Sequence, residues 1–156
     1  EAFESNSTAA RVEVWPSLRE ELVGCDDLGT SAETLAGLYP QLRVQLSALP
    51  QVWWTVPPEL QGLSPEGEAM RDAYARDPRL FEDTEGMLFP HRVEAVVEQL
   101  ARVPEELIVI VAHCNLIGAV TSKLGIDGGE GLWLKNCECR MAEVEFAPQE
   151  EPGMET

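Results

Sequence analysis

Apolar and polar positions along the chain change period several times, and each change marks an expected element. Residues 1–7 (EAFESNS) read as the tail of a helix entering a Ser/Asn-rich loop. Residues 11–16 (RVEVWP) alternate polar and apolar positions, which predicts a short strand ended by Pro16. Residues 17–22 (SLREEL) open a brief helical turn, with Ser17 as cap and Glu20 and Glu21 near its positive end. After the loop GCDDLGTS, Thr30 or Ser31 caps a short helix through Leu38. Between Pro40 and Phe89 no period is sustained. This stretch reads as a long insertion folded over a core, because Trp53 and Trp54 need burial. Within it, residues 64–76 are expected to be helical, with Pro65 in the first turn.

The second half is patterned more strongly. Val93, Val96, Val97 and Leu100 recur at helical spacing over residues 90–103, with Glu94, Glu98 and Arg102 opposite, and Pro104 ends the helix. Residues 107–112 (LIVIVA) form a continuous β-branched run, the composition of a strand buried on both faces. Residues 115–124 are helical again, with Ile117, Val120, Thr121 and Leu124 on one side, and Gly125 closes the helix. Residues 139–146 (CRMAEVEF) alternate as a last strand. Residues 147–156 form an acidic tail expected to be disordered.

Helix, buried strand, helix and strand in that order make an α/β pattern. Ligands in open α/β sheets bind beyond the carboxyl ends of the strands, and His113 is expected at such an end. The helix that follows begins at Asn115, and amides at a helix start favour anions, phosphate above all.

Composition narrows the classes. The 156 residues and 44% hydrophobic content suffice for one compact domain. With 11 Lys+Arg against 28 Asp+Glu, the formal charge is −17. Nucleic acid and anionic membrane, which require a basic face, are disfavoured as partners. No apolar run approaches the ~20 residues needed to span a bilayer. The chain opens on Glu1 without a signal peptide, and is read as cut from something longer. The cysteines fall at 25, 114, 137 and 139, with no disulfide or zinc-like spacing, which points to reduced thiols in an intracellular setting. No metal or other cofactor is expected.

Each candidate residue has a plain structural role beside a chemical one. His113 is either a satisfied core residue or a group serving as acid/base, nucleophile or donor to an oxyanion. Asn115 either binds a phosphate oxygen or caps the helix. Cys114 beside His113 invites a Cys–His nucleophile, but sequence neighbours at a strand end point in different directions, so a small half-buried thiol is favoured. Glu20 can protonate a leaving alkoxide or be one solvated acid among many. Asp26 and Asp27 are alternative acids in a solvated loop. Asn136 can orient a site group or cap a turn, and His91 reads as an ordinary surface residue at a helix start.

The order of four segments resembles the histidine phosphatase superfamily, the phosphoglycerate mutase-like proteins. LREELVG resembles the family's L-x-E-x-x-x-G segment, and VIVAHCNLIGAV its second catalytic histidine segment. LKNCECR resembles the N-C-[EAS] segment that follows. The loop GCDDLGTSAETLAGLYP with the downstream WW is similar to the plant, fungal and protist phosphatase-like branch. The resemblance runs from the first residues to about Phe146. It implies a three-layer α/β/α domain with a mostly parallel sheet, incomplete at its N-terminus and spanning residues 1–146. It also implies phosphomonoester hydrolysis through a phosphohistidine, on a phosphorylated small molecule or phosphopeptide. On matching positions His113 is the second histidine and Glu20 the proton donor. Asn115 is the neighbour of the phosphate, in a site that also takes in Cys114 and Asn136. Phosphoryl charge would be met there by preorganised donors.

The departures are specific. No Arg-His-Gly, which carries the family's nucleophile, occurs in the 156 residues. Cys114 replaces the glycine after the histidine, and Gly118 stands where an arginine is common. The chain is therefore expected to be inactive by itself. A pseudophosphatase-like binding or regulatory module is the second reading, and a thiol-dependent enzyme using Cys114 the third.

Overall fold

The computed structural model of the protein describes residues 11–60 and 68–146, and the expectations for residues 1–7, 64–67 and 147–156 lie outside them. Five α-helices are described: α1 (Ala32–Leu38), α2 (Arg43–Ser47), α3 (Glu68–Arg76), α4 (Pro78–Leu100) and α5 (Cys114–Lys123). Short 3-10 turns at Pro16–Leu18, Cys25–Asp27, Pro40–Leu42, Pro58–Leu60 and Ile126–Gly129 punctuate the connections. Contacts divide the chain into two compact units. One comprises Glu1–Pro16 and Leu22–Glu82, the other Ser17–Glu21 and Asp83–Thr156.

In the first unit, Ser31 caps α1 as its position promised, accepting a hydrogen bond from the Thr34 amide at 3.2 Å. Leu22, Met70, Ala73, Tyr74 and Phe81 form a buried cluster, with the Tyr74 and Phe81 rings tilted and 5.2 Å apart. Trp54 is buried as expected, and its ring lies so close to Gly29 that a Cβ there would come within 2.3 Å of Trp54 Cε3. Only glycine fits that contact. Trp53 stays half-exposed and donates its indole N–H to the Thr30 carbonyl at 2.8 Å.

Helix α4 starts a dozen residues before its expected Pro90 start. Pro78 supplies the start signal, because a proline in the first helical position forfeits no hydrogen bond. Pro90 then sits inside the helix, at the cost of one intrahelical bond. Val93, Val96 and Leu100 are buried, in keeping with their spacing. In α5 the buried stripe is Leu116, Gly118 and Val120 rather than the stripe through Ile117 and Leu124. Gly125 ends α5 in the left-handed region at φ 71°, the conformation that favours glycine after a helix.

The α/β expectation fails. Among the described residues there is no strand and no sheet, so the three-layer α/β/α architecture with a parallel sheet does not hold. Residues 11–15 and 139–146 are neither helix nor strand. The run at 107–112 is the clearest correction. Leu107, Val109 and Val111 are 77%, 82% and 87% exposed, and Ile108 and Ile110 about half that. The alternation of a strand is present, but no backbone hydrogen bond joins it to another described segment. The physical reason is that β-branching favours extended backbone locally, whereas a ladder needs a second segment in register.

An exposed β-branched run with unpaired edges is an aggregation hazard. Replacing both Val109 and Val111 by Lys removes side chains that bury almost nothing. Urea unfolding is expected to change by no more than about 0.5 kcal/mol per site. Light scattering on concentration should fall relative to the parent protein, and a large loss of stability would show these valines to be buried after all.

Candidate functional site

A helix start leaves amides without intrahelical partners, and at α5 their partner comes from far away in sequence. His113 is the N-cap, extended at φ −104° and ψ 166°, and its side chain makes no capping bond. The Glu20 carboxylate does that work instead. The Asn115 amide donates to Oε2 at 3.2 Å and the Leu116 amide to Oε1 at 3.1 Å. The Glu21 amide also donates to Oε1, at 2.8 Å. A carboxylate here meets both the orphan N–H groups and the positive end of the helix. Glu20 and the Asn115 and Leu116 amides, separated by over 90 residues, therefore meet. Cys114 lies beside them, its Sγ 3.9 Å from Glu20 Oε2 and 3.6 Å from Asn115 Oδ1.

Glu20 is held in place by buried charge that the sequence reading missed. Glu85 of α4 is only 1% exposed, and it pairs with the guanidinium groups of Arg19, at 3.2 Å, and Arg92. Arg92 also donates to the carbonyls of Ser17 (3.1 Å), Arg19 (2.6 Å) and Glu20 (3.2 Å). One side chain thus fastens the backbone on which Glu20 stands to α4. Phe89 lies under the guanidinium, 4.8 Å from ring centre to Arg92 Cζ. Burial, then the Arg92 charge, pulls the Arg19 pKa down to about 10 against the pull of Glu85, which leaves Arg19 charged at neutral pH. A signal for this cluster was available. Positions 85, 92, 93, 96 and 100 follow one helical face, so Glu85 and Arg92 interrupt an apolar stripe by a spacing of seven.

Glu21 is the other carboxyl missed. Burial first, then the Glu20 and Glu85 carboxylates, raise its pKa above the ordinary glutamate range, while Arg92 and a hydrogen bond from the Asn115 side chain act the other way. Asn115 thus neither caps the helix nor stands free. Its main-chain amide serves Glu20, and its side-chain oxygen lies 3.6 Å from Cys114 Sγ.

The remaining candidates fall elsewhere. His113 and Cys114 are exposed. Among the described residues no hydrogen bond joins Asn136 to Glu20, His113 or Asn115. It occupies a turn closed by the Glu138 amide on the Lys135 carbonyl at 2.9 Å. Asp27 accepts from the Val23 and Gly24 amides and is a turn residue. His91 is exposed, 3.7 Å from Glu94. Gly118 is covered by the Trp133 indole, whose atoms would lie 3.3 Å from an added Cβ, so an arginine has no room there in this arrangement. All four cysteines are free, and no three His, Cys, Asp or Glu side chains among the described residues group as a metal would require.

Neither a family model, nor a curated protein, nor a solved structure matches the chain.

The buried cluster makes a sharp prediction. Glu85→Ala leaves two guanidinium groups half-buried without their carboxylate, and stability in urea should drop by about 3–5 kcal/mol. Amide exchange at Asn115 and Leu116 should quicken with it, because the Glu20 segment loses its fastening. Unchanged exchange there would mean that Glu20 is held by other contacts.

Proposed function

We propose that the chain carries the acid and the phosphate-contacting part of a phosphomonoesterase site of the histidine phosphatase kind. The attacking histidine would come from outside the 156 residues, since they contain no Arg-His-Gly. The observation that carries this reading is the convergence of the Glu20 segment with the α5 start, next to His113. In this reading the acid, the imidazole and Asn115 share one site. His113 and Asn115 donate to the phosphoryl oxygens, and Glu20 protonates the leaving oxygen. The substrate is a phosphorylated small molecule or phosphopeptide, and the net charge argues against nucleic acid. Phosphohistidine transfer calls for no cofactor. The four free thiols support a reducing, cytoplasmic setting. No helix among the described residues is long and apolar enough to cross a membrane.

A second reading, a non-catalytic module of the same kind, draws support from Glu20 itself. Its carboxylate already occupies the α5 amides that an anion would use, and Trp133 fills the space over Gly118.

Titration with inorganic phosphate, followed by NMR of the His113 imidazole, tests the first reading. A saturable shift is expected, lost in His113→Ala and strengthened in Glu20→Gln, where the competing negative charge is gone. Turnover of p-nitrophenyl phosphate by the chain alone should be absent. Turnover that depends on His113 would overturn the external nucleophile, and a silent imidazole at millimolar phosphate would overturn the site.

A further inference from the structure

We propose that residues 107–112 are a self-association edge, on which a second copy of this chain pairs as an antiparallel strand with Val109 at the twofold axis. The proposal is independent of the phosphomonoesterase reading.

The run is shaped for a partner. No helix or turn interrupts residues 107–113, and His113 at their end is extended at φ −104° and ψ 166°. Among the described residues no backbone hydrogen bond ties the run to another segment. Leu107, Val109 and Val111 stand outward, far more exposed than Ile108 and Ile110 between them.

Exposure by itself suits any apolar strand, and the order of residues selects a second copy. Leu-Ile-Val-Ile-Val reads almost the same in both directions about Val109. In an antiparallel pair centred there, Val109 meets Val109 of the other copy, Ile108 meets Ile110, and Leu107 meets Val111. Each outward residue opposes an outward one and each inner residue an inner one, as the two-residue period requires. A twofold axis makes every such contact twice and closes the assembly at two copies.

Charge fixes direction and register. Glu105 and Glu106 precede the run and His113 ends it. Antiparallel pairing brings each acidic pair to the His113 end of the other copy, whereas a parallel in-register pair sets the acids against themselves. Sliding the antiparallel pair two residues one way puts Glu105 and Glu106 opposite Val111 and Ile110. Sliding it the other way exchanges the Leu107 contact for one with His113 and brings in the smaller Ala112. The Val109-centred register therefore gives the largest apolar contact. The ribbon is short, at the small end of protein interfaces, and each copy carries a charge of −17. The dimer is accordingly weak, and salt strengthens it by screening the repulsion between copies.

Sedimentation of the full chain over a range of concentrations, at low and high sodium chloride, tests the proposal. A monomer–dimer equilibrium is expected, tighter at high salt, with no larger species. Val109→Lys sets two like charges face to face at the axis and should weaken association by about tenfold or more. Its helical circular dichroism should not change, because the side chain is exposed. Val109→Thr keeps the branched β-carbon and should retain the dimer. In a mixture of isotope-labelled and unlabelled chains, nuclear Overhauser contacts between copies should join Leu107 to Val111. Those contacts decide the case should Val109→Lys lose its helices. A chain that stays monomeric at every concentration and salt overturns the proposal and leaves the run to a different protein. A dimer indifferent to Val109→Lys, a Leu107–Leu107 contact between copies, or growth past two copies overturns it equally.

Discussion

A carboxylate with almost no access to water has to be matched by positive charge, and Glu85 imposes that requirement on the second unit. Arg19 and Arg92 meet it, and Arg92 does more than balance charge. A guanidinium has five N–H donors in a fixed fork, and after serving Glu85 it still has donors to place. They go to three successive stretches of main chain at Ser17, Arg19 and Glu20. A backbone fastened at three carbonyls cannot slide, and the Glu20 side chain leaves it in a fixed direction. The cap on α5 is thus a consequence of a charge buried on α4.

This chain of dependence explains which parts of the fold were legible. Features set by a residue and its near neighbours came through. Ser31 caps α1 because its oxygen reaches an amide three residues on, and Gly125 ends α5 because few other residues adopt its φ. The stripe Val93, Val96 and Leu100 records the helical period directly. The run at 107–112 was legible only as extended backbone. Whether such a run is a strand depends on a second segment, and no periodicity within six residues carries that information. Calling it buried on both faces inferred a partner from composition, and the exposure of Val109 and Val111 corrects it.

The candidate site divides in the same way. Segment order paired Glu20 with the residues around His113, and the two do meet. Order could not show that Glu20 takes three amides, because two of those donors stand at the start of a helix far along the chain. Asn136 shows the limit of motif order, since its neighbourhood in sequence puts it in a turn bonded to itself. Arg92 and Glu85 were overlooked because charged residues near a helix are read as its solvated side, whereas here they lie on the apolar stripe.

The arrangement at α5 also sets terms for any anion that binds there. A phosphate using the Asn115 and Leu116 amides must displace the Glu20 carboxylate, and its affinity is lowered by whatever that contact contributes. Each 1.4 kcal/mol in the carboxylate's favour weakens the anion by about tenfold. The cost is not confined to two hydrogen bonds. Glu20 is mounted on backbone held by Arg92, so its side chain must swing away while the main chain stays.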